Sequence, residues 1–120
     1  MLFRSKGYDF VACFDCLHDM GDPAGAASHV YEALASDGTW MIVEPIAGDE
    51  VAANLNPVGR IYYSASTVIC VPASLSQEVG AGLGAQAGEK KIGEAVSAGG
   101  FKLFRRATET PFNMVFEARP

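Results

Sequence analysis

The strongest constraint on how this chain folds is a pair of short, almost continuously apolar runs, Tyr8-Asp9-Phe10-Val11-Ala12-Cys13-Phe14 and Thr39-Trp40-Met41-Ile42-Val43-Glu44, with a helical pattern between them. Runs of this length, rich in aromatic and β-branched residues and lacking polar alternation, read as strands buried on both faces of a parallel sheet. Between them Asp22-Pro23 supplies a cap and first-turn pair, and Ala27, Val30, Tyr31 and Leu34 follow at helical spacing until Asp37-Gly38 reads as the stop. Strand, helix and strand in that order predict a right-handed βαβ crossover.

Beyond Pro45 the pattern changes. Asn56-Pro57 repeats the capping signal, and Val58, Ile61, Tyr62, Ala65, Val68 and Ile69 form an apolar stripe, which predicts a helix over 57–71 ended by Pro72. Residues 80–88 read as a flexible loop. Inside it Gly82-Leu83-Gly84-Ala85-Gln86-Ala87 matches the pattern G-x-G-x-x-A, but the phosphate-cradling form of that turn needs a strand directly before it, and Ser74-Leu75-Ser76-Gln77-Glu78 is not one. A last short helix is expected over 89–98, closed by Gly99-Gly100. Two strands over 101–107 and 112–119, joined by Thr108-Glu109-Thr110-Pro111, predict an antiparallel pair.

Composition matters here for what it excludes. With 120 residues, 49% of them hydrophobic, the chain can build one core and is read as one α/β domain over 1–120. Its net charge is -5 and its only basic clusters are Lys90-Lys91 and Arg105-Arg106, so no nucleic-acid footprint is expected. The opening Met1-Leu2-Phe3-Arg4-Ser5-Lys6 is too short and polar for a signal sequence, and the longest weakly polar stretch, 62–71, is too short to span a bilayer. No membrane partner is expected. Three cysteines, an odd number with two inside apolar runs, point to a reducing, cytoplasmic setting.

The stretch YDFVACFDCLHDMGDP, followed by a helix and then DGTWMIVEP, resembles the fourth strand, fourth helix and fifth strand of class I S-adenosylmethionine-dependent methyltransferases. The terminal GGFKLFRRATETPFNMVFEARP resembles that family's closing hairpin, whose last strand inserts antiparallel between its neighbours. LNPVGRIYYSASTVICVPASLSQEVG, within 46–88, resembles the substrate-side insertion of a bacterial subgroup whose full-length members carry a winged-helix segment ahead of the catalytic domain. The resemblance runs from about Lys6 to Pro120. It implies a partial Rossmann-like sheet of about four strands, the family's fourth, fifth, seventh and sixth in spatial order, with flanking helices. The family's glycine-rich cofactor turn and its acidic ribose-binding residue have no counterpart in these residues, so the expectation is the carboxyl-terminal part of a catalytic domain. In the complete fold the fourth strand pairs with the first at the switch point where ligands bind. Without that partner Phe10, Val11, Ala12 and Cys13 form a long uncharged edge, and self-association as a dimer is expected through the 8–14 edge or the bare sheet faces.

Methyl transfer from a sulfonium is an in-line displacement that asks a protein for positioning and, where the acceptor carries a proton, a base. The resemblance implies S-adenosylmethionine as cofactor and a small-molecule acceptor of undetermined identity. It sets Phe14 and Asp15 beside the methionine portion of the cofactor, with Leu17 and His18 lining the transfer pocket; Phe14, Asp15 and Leu17 are the cofactor-binding candidates and His18 the catalytic one. The residues themselves agree in part, since Asp15 ends an apolar strand and His18 titrates near neutral pH. Capping roles for Asp15 and Asp19, a structural role for His18 and packing roles for Tyr62 and Tyr63 stand beside those readings. Glu44, at the end of the second run, is either a substrate contact or a rim carboxylate holding a loop amide. The resemblance turns Asn56, Arg60 and Tyr63 toward the acceptor. Two other classes remain open. One is a zinc or redox site on Cys13-Phe14-Asp15-Cys16 with His18 and His29, although no second cysteine pair completes the ligands and no metal is assigned. The other is an inactive truncated scaffold that folds as an associated half domain.

Overall fold

A computed structural model describes residues 5–120; residues 1–4, part of the opening stretch read above as too short for a signal, lie outside them. One sheet organises the fold. Its strands are β1 (Tyr8–Phe14), β2 (Leu34–Pro45), β3 (Leu103–Glu109) and β4 (Asn113–Arg119), in the spatial order β1-β2-β4-β3. β1 and β2 run parallel, whereas β4 is antiparallel to both β2 and β3. This is the expected order of fourth, fifth, seventh and sixth strands. The helices are α1 (Pro23–Ala33), α2 (Pro57–Ala65), α3 (Val71–Leu75) and α4 (Gly88–Ala98).

Local chemistry sets most boundaries. Asp22 Oδ1 accepts the Gly25 N–H at 2.8 Å and Pro23 opens α1, as the cap signal predicts. The helix ends at Ala33, however, and Asp37-Gly38 lies inside β2 rather than stopping α1. The register slips between Tyr8 and Phe10, and the extra β2 residues form a bulge there. A side chain at Gly38 would press to 2.8 Å from the Tyr8 carbonyl oxygen, so this glycine serves strand approach instead of helix termination.

The second correction concerns Pro72, which does not end the helix that begins at Pro57. Asn56 Oδ1 caps α2 by accepting the Gly59 N–H at 2.8 Å. Ser66–Cys70 then winds as a π-helical turn, with the Val71 N–H reaching back to the Ser66 carbonyl, and α3 continues beyond it. Pro72 falls in the first turn of that new segment, where its missing N–H is harmless, and the wide turn absorbs the clash a proline makes in a continuous α-helix. We call α2, the π turn and α3 together the arm.

The core lies on one face of the sheet. Alternate residues of β2 and β4 (Trp40, Ile42, Met114, Phe116 and Ala118) bury together with Ala27 of α1 and Ile92 and Val96 of α4. The two helices approach closely where Gly99 abuts Ala27; a Cβ at Gly99 would overlap that side chain. Phe101 was expected to open the third strand but turns inward instead, 5.3 Å from Trp40 and edge-on to Tyr31 at 5.4 Å, so β3 starts at Leu103. Phe104 stacks on Phe116 at 4.8 Å.

β1 departs from the reading as a strand buried on both faces. Tyr8, Phe10 and Phe14 are 44%, 55% and 62% exposed, and among the described residues β1 pairs with β2 alone. It is therefore an edge strand among the described residues, as expected. Among the described residues no helix is long and apolar enough to cross a membrane.

Candidate active site

At the carboxyl end of β1 the chain reverses through Asp15, which holds φ at 46°, a left-handed conformation that few residues other than glycine adopt and that aspartate tolerates better than most. The Asp15 N–H donates to the Val43 carbonyl at 2.8 Å, and its Oδ1 accepts from Asn113 Nδ2 at 2.8 Å. The first residue of the terminal strand thus pins the turn. The reversal carries the short 3-10 turn Leu17–Asp19 back over the end of β2, where Glu44 is buried at 1% exposure. Glu44 Oε1 accepts the Leu17 N–H at 2.8 Å, and Oε2 accepts a hydrogen bond from His18 Nδ1.

A buried carboxylate without partners would be strongly unfavourable, and here both oxygens are engaged. Because the carboxylate only accepts, it fixes the proton on Nδ1 and orients the ring, leaving Nε2 3.1 Å from Asp19 Oδ1. Burial opposes charging His18, but the hydrogen bond and charge of Glu44, followed by the charges of Asp19 and Asp15, outweigh it and hold the imidazole above the ordinary histidine range. The neighbouring thiols are shifted upward. Burial, then Cys16 and Glu44, push Cys13 up to about 12, and burial followed by Asp19 raises Cys70 to about 11. Cys16 is raised as well, by burial and then by Glu44.

A second feature lies along the arm. Asn56, Arg60 and Tyr63 line an open cleft of about 570 Å³ together with Asn54, Leu55 and Pro57. Its floor is built on Asn54, 3% exposed, whose Oδ1 accepts the Gly48 N–H at 2.7 Å while Nδ2 donates to the Gly48 carbonyl at 3.0 Å and to the Tyr63 hydroxyl at 3.3 Å. The Tyr62 hydroxyl donates to the Phe112 carbonyl at 2.9 Å and clips the arm to the terminal hairpin. The glycine-rich loop before α4 gives its amides to the arm: Gly82 N–H donates to Ser74 Oγ at 2.9 Å and Ala85 N–H to Ser66 Oγ at 3.0 Å. It is a packing loop, not a phosphate cradle, and the α4 N-terminus is occupied by Asp49 Oδ1, which accepts the Lys90 N–H at 2.9 Å.

The candidate residues therefore fall into two groups. Phe14, Asp15, Leu17, His18 and Glu44 gather at the carboxyl edge of β1 and β2, but Leu17 is fully buried and Glu44 faces the turn instead of a cleft. Asn56, Arg60 and Tyr63 share the arm cleft, which His18 does not line. Neither Asp15 nor Asp19 caps a helix, since the 3-10 turn has no side-chain cap. Cys13, Cys16, His18 and His29 do not converge among the described residues; His29 lies along α1 in a different cleft with Tyr8 and Val11. Asn54 and Asn113 escaped the sequence reading because nothing in local spacing marks an asparagine whose partners lie across a loop or at the far end of the chain.

Comparison with solved structures gives the architecture a family of shapes. The chain superposes on PigF with SAH at a TM-score of 0.67, with 16% identity, covering 98% of this chain and 32% of that one. Human N-acetylserotonin methyltransferase in complex with SAM gives 0.65 at 16% identity, over 92% of this chain and 29% of that one. An O-methyltransferase family protein from Burkholderia thailandensis gives 0.62 at 17% identity, over 98% and 32%. The fold matches part of a methyltransferase domain. The chain spans about a third of the length of these structures. No protein-family model and no curated protein matches the sequence. In this methyltransferase-type sheet the Glu44–His18 pair lies at the carboxyl ends of β1 and β2, the side of the sheet on which open α/β sheets bind ligands.

Proposed function

We propose that this chain forms the acceptor-side part of an S-adenosylmethionine-dependent methyltransferase acting on a small molecule, with His18 as the base. The observation that carries the reading is the buried Glu44–His18 pair, which fixes one ring nitrogen and leaves the other beside Asp19. S-adenosylmethionine would supply the methyl group as a sulfonium. His18 Nε2 would take up the proton that the acceptor's hydroxyl or amine gives up as it receives the methyl group. Glu44 and the Leu17 amide hold the ring throughout.

The residues present fit one wall of a cofactor site. Phe14 offers an exposed ring at the end of β1 and Asp15 a fixed carboxylate, while the loop over 80–88 has committed the amides of Gly82 and Ala85 to serines. Asn56, Arg60 and Tyr63 would recognise the acceptor in the arm cleft, and Glu44 acts as a positioning residue through His18. Three free cysteines support placing the protein in the cytoplasm.

The test is calorimetric titration of the chain with S-adenosylhomocysteine at high protein concentration, paired with S-adenosylhomocysteine release from S-adenosylmethionine across a panel of hydroxyl and amine acceptors. Micromolar binding that survives His18→Ala, with turnover lost, supports the assignment. Turnover unaffected by that substitution would remove His18 from the chemistry. A second reading, a half domain that associates without catalysis, is favoured by the exposed apolar edge of β1. It predicts no heat with the nucleoside and a dimer by light scattering, and a monomer at high concentration would sink it.

A further inference from the structure

We propose that His18, Asp19 and Cys70 form a binding site for one thiophilic divalent cation, of which zinc is the natural example, joining the Leu17–Asp19 turn to the π turn of the arm. A ring nitrogen of His18, a carboxylate oxygen of Asp19 and the Cys70 sulfur all lie within 4.8 Å of one another, and Nε2 is the nitrogen that Glu44 leaves free. This is a mixed nitrogen, oxygen and sulfur set of the kind zinc accepts, with three protein ligands and a fourth position left open. Ligand bonds of about 2.0 to 2.3 Å at tetrahedral angles put donor atoms roughly 3.3 to 3.8 Å apart. His18 and Asp19, at 3.1 Å, already approach that spacing. Cys70, within 4.8 Å of both, has to move inward by no more than about 1.3 Å to reach the roughly 3.5 Å that a sulfur and a nitrogen or oxygen ligand keep.

Three further features point the same way. Asp19 Oδ1 is buried and accepts no hydrogen bond, although His18 Nε2 lies 3.1 Å away. His18 presents its other nitrogen to a buried carboxylate, the outer-shell arrangement that orients metal-binding histidines. His18 and Cys70 are 4% and 7% exposed while the Asp19 side chain is 38% exposed, so the cluster is sheltered on one side and reachable from the other. Binding displaces the Cys70 thiol proton to solvent, and the ion takes the nitrogen that the methyl-transfer reading assigns to proton acceptance. Metal occupancy and that step exclude each other, yet the site stands whether or not the chain transfers methyl groups.

The experiment is titration of the chain with cobalt(II) under reducing conditions, read by visible and near-ultraviolet absorption. One equivalent should produce the intense d–d bands of a tetrahedral ion together with thiolate-to-cobalt charge transfer, and zinc should displace both. Cys70→Ser should remove the charge-transfer band, and the double substitution Cys13→Ser, Cys16→Ser should keep it. Glu44→Gln should preserve the spectrum while weakening affinity by roughly 10- to 100-fold, the usual range for an outer-shell partner. Should Cys70→Ser fail to fold by circular dichroism, Asp19→Asn, which keeps every thiol, should still lower affinity by about tenfold or more. No saturable binding at one equivalent, or a charge-transfer band that survives Cys70→Ser and disappears with Cys13 and Cys16, would overturn the assignment.

Discussion

The helix-covered face of the sheet and the margin formed by β1 and the arm are both rich in large apolar side chains, and they meet opposite fates. Beneath α1 and α4, Trp40, Ile42, Met114 and Phe116 are 2% exposed or less. Along the margin, Phe10 and Phe14 are 55% and 62% exposed, and Ile61, Val68 and Ile69 of the arm range from 61% to 72%. Hydrophobicity is the same in kind; what differs is whether a second layer is there to receive it. Stability should therefore reside in the first region, and the second should be able to change with little effect on folding.

The largest expected effect is at the centre of the covered face. Phe116→Ala should lower unfolding free energy by about 3 to 5 kcal/mol, measured by urea denaturation, because it opens a cavity under Phe104 and the helices. Gly99→Ala should follow at roughly 1 to 3 kcal/mol, since the added methyl has to displace Ala27 and part α1 from α4.

The carboxyl edge should give an intermediate, pH-dependent result. In chelator-treated protein, NMR titration should show His18 keeping its ring proton above the ordinary value of about 6.5. A folded-state value that is raised means the stabilisation is fully present below about pH 6.5 and fades as pH climbs through the folded value. Glu44→Gln should bring the titration down and flatten that slope. The smallest effect belongs to the margin: Ile69→Ala should stay within about 0.5 kcal/mol. A loss there as large as that of Phe116→Ala would break the contrast and show that the arm is covered in solution.

How far the sequence alone reached follows the same divide. The caps at Asp22-Pro23 and Asn56-Pro57 act within one turn, so they were legible, and the strand order was legible through the resemblance of the two apolar runs and the closing hairpin. The exposure of β1 was legible only through that resemblance, which leaves the strand without its neighbour, because a continuous apolar run reports what a strand would bury against and not whether a neighbour lies beside it. Asp37-Gly38 misled for a related reason, since a glycine that lets two strands approach looks in sequence like one that stops a helix. At the site, His18 and Glu44 were each visible as candidates, but their pairing depends on the reversal at Asp15, which Asn113 holds from the opposite end of the chain. Cys70 read only as one member of an apolar stretch, and no spacing rule reveals that its sulfur turns toward His18.

The π turn at Ser66–Cys70 gives the arm a phase as well as a bend. An α-helix advances about 100° per residue, so the one extra residue that such a turn accommodates rotates everything downstream by that amount. Ser74, which donates to the Met20 carbonyl, and Gln77, which accepts the Gly21 N–H, meet the turn after His18 only in the rotated phase. Deleting a single residue between 66 and 70 would leave a smoother helix and swing those side chains out into solvent. The irregular turn is thus a length gauge, by which the spacing of one short segment decides which residues of the arm face the sheet.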